Sequence, residues 1–267
     1  MSGANFHTFY FIIISLWICG LVLFFLENKE KRKISNFGLA TIALGVAVVG
    51  FYIGYLWILL ERPPMRTLGE TRLLYALFVP IIGFIIFYRW KIKWMIVYSI
   101  VLAAVFLTID FVMPEVFNKT LMPALQSFWF VPHVIVYIFA YAILGFSTVI
   151  AIWGLFLLYK KTFNTEVLFL ADNTVYVGFT FLTLGLLFGA LWAKEAWGNY
   201  WTWDPKETWA FLTWLGYLLY IHLRIRHKDS IKIPLIVLSA IFVVLIICWF
   251  GINYLPSAQN SVHVYAN

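Results

Sequence analysis

Apolar residues run almost unbroken through eight stretches of this chain, roughly residues 6–26, 37–60, 73–88, 92–112, 133–159, 174–193, 207–223 and 234–254. Polar residues gather in the connections between them. At about 20 residues per crossing, each stretch is long enough or nearly long enough to span a bilayer, and all eight read as α-helices. The third and seventh are short by that measure, which fits a smaller tilt, a thinner bilayer or support from neighbouring helices. The pattern predicts an all-α, polytopic membrane bundle of about eight transmembrane helices, forming a single membrane domain over residues 1–267.

Composition agrees with that class. Hydrophobic residues make up 63% of the chain and charged residues 12%, and the mean hydropathy is +0.90. A water-soluble domain of this length would need far more charge. The charges present are unevenly placed. Thirteen of the 19 Lys and Arg fall in one set of connections: Lys29, Lys31, Arg32, Lys33, Arg89, Lys91, Lys93, Lys160, Lys161, Arg224, Arg226, Lys228 and Lys232. The other six are Arg62, Arg66, Arg72, Lys119, Lys194 and Lys206. Cytoplasmic loops are enriched in Lys and Arg, so the first set is read as cytoplasmic. An even helix count then places both termini outside. It places there too an outer loop with an interfacial segment at 113–132, a Trp-rich outer loop at 194–208 and an outer tail at 255–267. The net charge of +7 needs no nucleic-acid partner; it is topogenic charge with some attraction to anionic lipid.

Several chemistries are missing. The first apolar stretch lacks a preceding basic region and a small-residue cleavage site, so it reads as a retained helix in a complete chain. Cys19 and Cys248 lie alone inside predicted spans, with neither CxxC nor CxxCH, and read as packing residues. No Walker motif, HExxH or Gly-rich phosphate loop is present, which excludes nucleotide-driven pumping and zinc hydrolysis by this chain alone.

The chemistry concentrates instead at residues 197–209, WGNYWTWDPKETW. A membrane-interface belt scatters its Trp and Tyr over many helix ends, whereas Trp197, Tyr200, Trp201 and Trp203 share one connection. Such a shelf suits a large, flat, mostly apolar ligand with polar edges. Asp204-Pro205-Lys206-Glu207 reads as a capping box starting the seventh helix, which explains both acids. Lys194, Lys206, Arg62, Arg66 and Arg72 could pair with ligand carboxylates; ordinary headgroup contact explains each equally well.

Histidine is the commonest metal ligand and is costly in a membrane without a partner. His133 follows Pro132 at the outer start of the fifth span, and His263 lies in the tail about nine residues beyond the eighth. Extended chain covers about 3.3 Å per residue, so His263 can return about 30 Å over the helix ends. His222 lies about 27 Å along a helix from Asp204, towards the opposite boundary. Position alone leaves each open. His133 also reads as a helix-start residue bonded to a carbonyl, His263 as tail and His222 as part of the inner basic edge. His7 and His227 read as terminal and charge-cluster residues.

WGNYWTWDPKETWAF resembles the tryptophan-rich "WWD" segment of the haem-handling family of cytochrome c assembly proteins, in the form of its CcsA (ResC) branch. Residues 121–134, LMPALQSFWFVPHV, resemble the segment with the family's first external histidine, which puts that role on His133. Residues 252–266, INYLPSAQNSVHVYA, resemble the segment with the second, which puts it on His263. LLYIHLR at 218–224 resembles the helix with an intramembrane histidine, matching His222, and RPPMRTLGETR at 62–72 resembles an outer loop. The family's Gly before the second external histidine is replaced by Ser261-Val262, which removes its backbone freedom.

The resemblance implies a haem transporter and presenter forming part of a cytochrome c synthase (haem lyase). Haem b would be held non-covalently and in reduced form, with its iron between His133 and His263 at the outer site and on His222, with a partner's ligand, at the inner site. Trp197, Tyr200, Trp201, Trp203 and Asp204 would line the outer site, and Arg62, Arg66 and Arg72 would meet the propionates. No residue acts catalytically beyond haem ligation. Implied partners are a separate CcsB (ResB)-like membrane subunit, apocytochrome c with its CxxCH motif and thiol-reducing proteins. The membrane is read as a bacterial inner membrane, with a thylakoid fitting the same topology. Three alternatives stay open: a CcmC-like relay to a carrier chaperone, a dihaem cytochrome b subunit, and a non-haem lipid or glycan transporter. The second expects paired intramembrane histidines on shared helices, a spacing this chain lacks.

Overall fold

The structure is a computed structural model and describes residues 4–26, 32–114, 119–227 and 229–254. Among these, every regular element is helical, with eight α-helices and two short 3-10 turns. Seven of the eight are long and apolar enough to cross a membrane. The protein is therefore an integral membrane protein. The exception is Pro205–Arg226, whose 22 residues rise about 33 Å but carry charges at both ends.

The chain divides into two compact units, Met1–Leu121 and Met122–Asn267. The first holds α1 (Ala4–Phe25), α2 (Arg32–Leu60), α3 (Leu68–Trp90) and α4 (Trp94–Val112). Helices α1 and α2 pack along one another, as do α3 and α4. In the α1–α2 pair, Gly20 and Gly38 allow backbone to meet backbone: a Cβ on Gly38 would lie 2.5 Å from the Phe24 nitrogen. Apolar attraction to a neighbour is no stronger than to lipid, so close packing between small residues is what joins such helices.

Helix α3 begins five residues before its apolar run, because Thr67 and Glu70 form a reciprocal capping box. Glu70 is fully buried and Arg62 only 4% exposed. Arg62 grips Glu70 through two hydrogen bonds, Nη1 to Oε2 at 3.0 Å and Nη2 to Oε1 at 2.7 Å. The Arg66 backbone N–H donates to the same carboxylate at 2.6 Å. Farther along α3, Arg72 Nε donates to Asp110 Oδ1 of α4 at 2.6 Å. The exposed Lys119 hydrogen-bonds Glu61 and holds that carboxyl below its ordinary range.

The second unit holds a 3-10 turn (Pro123–Gln126), α5 (Phe130–Tyr159), α6 (Thr165–Trp197), α7 (Pro205–Arg226), α8 (Lys232–Trp249) and a closing 3-10 turn (Gly251–Tyr254). Helix α5 is its core: residues 140–148 are buried on every side, and the helix packs on both α6 and α8. A helix apolar all round is either a lipid-facing span or enclosed by other helices, and α5 is enclosed along this stretch. Helix α6 starts nine residues before the predicted 174. Asn164 caps it by accepting from the Glu166 N–H at 3.0 Å, and its first polar turns are neutralised from α7. There Arg224 pairs with Asp172, Nε to Oδ1 at 2.9 Å and Nη2 to Oδ2 at 2.9 Å, and Tyr220 donates to Oδ1 at 2.7 Å. The eighth helix stops at Trp249 rather than 254, giving way to the 3-10 turn.

Candidate functional site

The Trp-rich loop is held at both ends by local chemistry. Helix α6 ends on Gly198, whose φ of +84° closes the left-handed cap. Lys194 Nζ donates to the Gly198 carbonyl at 2.7 Å, and its ammonium lies 5.5 Å from the Tyr200 ring centre. At the other end Asp204 caps α7 in the box its spacing predicts, with Pro205 in the first turn and Glu207 reaching back. Glu207 Oε2 also accepts from the Thr202 N–H at 2.8 Å. Between these anchors Trp203 adopts φ +59°, a left-handed conformation costing a bulky residue of order 1–3 kcal/mol. The residue is 65% exposed, so the strain goes into presenting an aromatic side chain rather than burying one.

Two aromatic clusters flank this loop. In one, Trp201 and Trp203 meet edge to face at 5.8 Å, both against Phe211, which stacks on Trp214. The Trp201 indole N–H is buried without a partner among the described residues, a donor available to the polar edge of a ligand. Tyr200 is more than half exposed.

The other cluster is built around His133. Its ring stacks on Trp192 at 5.4 Å and 27°, and Trp192 meets Trp197 at 4.8 Å. Nδ1 lies 2.9 Å from the carbonyl oxygen of Gly185. A carbonyl can only accept, so Nδ1 carries the hydrogen, and when the ring is neutral its basic nitrogen is Nε2. This is the arrangement of metal-ligating histidines, which donate their second N–H to a carbonyl or carboxylate. The residues present therefore fit an axial ligand for haem iron. Among the described residues no three His, Cys, Asp or Glu converge to hold a bare metal ion.

The ring sits so close to α6 because Gly189 has no side chain: a Cβ there would fall 2.8 Å from His133 Cε1 and 2.9 Å from Nδ1. One turn away, a Cβ on Gly185 would fall 2.2 Å from Tyr137 Cδ2. Upstream, Ser127 donates to Glu195 at 2.6 Å, and Trp192 Nε1 donates to the Ala124 carbonyl at 2.6 Å. Both bonds fix the entry into α5. Trp192, Gly185 and Gly189 escape a reading of the sequence because they lie inside an apolar run. The one cue to them is their spacing, which places all three on one face of a helix.

His222 lies on α7 and is exposed, on a face with exposed Leu215, Leu218, Leu219 and Ile225. Tyr220 and Arg224 turn the other way, to Asp172. His263 lies outside the described residues. Arg62, Arg66 and Arg72 belong to the first unit, where Arg62 and Arg72 are engaged by Glu70 and Asp110 and Arg66 donates to the Thr120 carbonyl. The charges of Arg62 and Arg72 are thus met by carboxylates within the protein.

Residues 7–258 match the family model described as Cytochrome C assembly protein. A Prochlorococcus marinus (strain MIT 9515) protein named "Cytochrome c biogenesis protein CcsA" is 32% identical over 289 residues, covering 95% of this chain and 90% of its own. The Chlorella vulgaris protein of that name is 39% identical over 194 residues, covering 57% of this chain and 62% of its own. The one from Chlamydomonas reinhardtii is 40% identical over 149 residues, covering 53% and 42% respectively. With the family model running over nearly its whole length, this chain belongs to the cytochrome c assembly protein family.

Proposed function

We propose that this protein carries haem b to the outer face of the membrane and presents it there for attachment to the CxxCH motif of apocytochrome c. It would do so as part of a cytochrome c synthase. The observation that carries this reading is the His133 seat, an imidazole fixed in the ligating tautomer beside an exposed tryptophan loop. The names of its relatives place them in cytochrome c biogenesis, which agrees with it.

In this reading His133 and His263 would hold the iron at the outer site. Exposed Trp203 and Tyr200, with Trp197 and Trp201, cover the apolar faces, and the Trp201 N–H meets a polar edge. Lys194 lies at the same loop and would be the cation there for a propionate, whereas Arg62 and Arg72 are engaged by Glu70 and Asp110. Held by two protein imidazoles, haem iron would react slowly with oxygen. Haem supplies the vinyl groups across which the two apocytochrome thiols add. The protein's own residues contribute orientation and exclusion of water. His222, on an exposed apolar face, would be completed as an inner site by a CcsB-like membrane subunit, and thiol-reducing proteins would keep the substrate cysteines free. The Lys and Arg distribution supports an orientation with this loop outward, in a bacterial inner membrane or a thylakoid.

The test is an absorption spectrum of the protein copurified with a CcsB-like partner. Wild type is expected to show sharp low-spin bands when reduced, lost in His133→Ala and His263→Ala and restored by imidazole. A colourless wild type under ample haem supply, or unchanged bands in both variants, would overturn the proposal.

A further inference from the structure

We propose that Trp192 is a positioning residue for His133, forming with Gly185 and Gly189 a preformed seat that sets the plane and tautomer of the imidazole before any ligand arrives. The proposal rests on the haem reading above and adds residues to it that no resemblance supplied.

Gly185, Gly189 and Trp192 stand at i, i+4 and i+7 on α6, one stripe of a helix. The two glycines leave the α6 backbone bare. Gly189 admits the imidazole, and the Gly185 carbonyl receives its Nδ1 hydrogen. Trp192 lies over the ring face. The indole is itself immobilised: it is 4% exposed, its N–H donates to the Ala124 carbonyl, and Phe130 packs against it at 5.4 Å. Phe130 opens the helix that bears His133, so the indole fixes both the ring and the start of its helix.

The imidazole thus has a donor bond at one edge, an aromatic plane on one face and a backbone floor. An axial ligand held this way loses little freedom on binding iron. Supporting groups of this kind typically change metal affinity by about 10–100-fold. The indole also links His133 to Trp197 of the loop, so a shift in the shelf is felt at the ligand.

The experiment compares wild type, Trp192→Leu, Trp192→Phe and Gly189→Ala, each checked for monodisperse elution. Three readouts are taken: haem affinity, the low-spin electron paramagnetic resonance signal, which reports the orientation of the axial imidazole planes, and ¹⁵N resonances of labelled histidine in haem-free protein. Trp192→Leu is expected to weaken haem binding by about tenfold or more, to broaden or shift the low-spin signal, and to convert His133 from a single Nδ1–H tautomer to a mixture. Trp192→Phe keeps a ring face but loses the Ala124 bond, and is expected to fall between. Gly189→Ala, which crowds the imidazole from α6, is expected to disturb the same three signals without touching the indole. If Trp192→Leu does not fold, the two milder variants decide. Low-spin wild-type haem with all three signals unchanged in the variants would overturn the seat and leave the haem reading standing. Absence of haem from wild type would overturn that reading, while the tautomer measurement would still decide the seat.

Discussion

A carboxylate cut off from solvent has to be neutralised where it stands, and Glu70 is met by two Arg62 N–H groups and the backbone of Arg66. Glu70→Gln would leave the Arg62 guanidinium buried without a counter-charge. Removing one partner of such a pair costs about 3–5 kcal/mol. Thermal unfolding of the detergent-solubilised protein is expected to show a clear fall in midpoint, and an unchanged midpoint would mean that water reaches the pair. The same residues show where single-residue reading fails. Arg62 stands in a polar connection and looks available to a ligand, yet its partner lies eight positions on, brought back by a turn through Pro63 and Pro64 that no periodicity encodes. His133 stands out in the sequence as a candidate ligand through its motif. Its tautomer does not, because the acceptor at Gly185 is 52 residues away in sequence.

At the scale of helices, the α5–α6 pair depends on missing side chains. Gly185→Ala would drive a Cβ into the Tyr137 ring, whose neighbours are packed, and overpacking of this kind costs about 1–3 kcal/mol. A Cβ added at Gly54 of α2 would meet nothing within 4 Å, so Gly54→Ala is expected to be neutral or to gain up to about 1 kcal/mol of helix propensity. Paired thermal-unfolding measurements would show the contrast, and equal effects would count against the close-approach argument. Helix existence is readable from the apolar runs, because a bilayer demands satisfied backbone groups over a fixed length. Helix ends are less so. Glu166 and Asp172 cut short the apparent sixth span although Asn164 caps it and Arg224 neutralises Asp172. The Thr67-x-x-Glu70 box that starts α3 is present in the sequence, but hydropathy alone passes over it because its residues are polar.

For the molecule as a whole, the charge distribution predicts that Tyr200 faces the outside and Lys160 the cytoplasm. In a background with Cys19 and Cys248 replaced by Ala, Tyr200→Cys is expected to react with a membrane-impermeant maleimide in intact cells. Lys160→Cys is expected to react only after permeabilisation, and the reverse pattern would invert the topology. With that orientation, one dimension of the second unit gains meaning. From Asp172, paired with Arg224 of the inner basic edge, α6 runs 25 residues to Trp197, about 38 Å at 1.5 Å per residue. The hydrocarbon core is about 30 Å thick. In that orientation the helix would work as a pier, long enough to carry its aromatic tip past the oily layer into the region where water begins. Under the proposed function, an unfolded protein arriving from the aqueous side would be met on its own ground, without any part of its polar backbone being drawn into lipid.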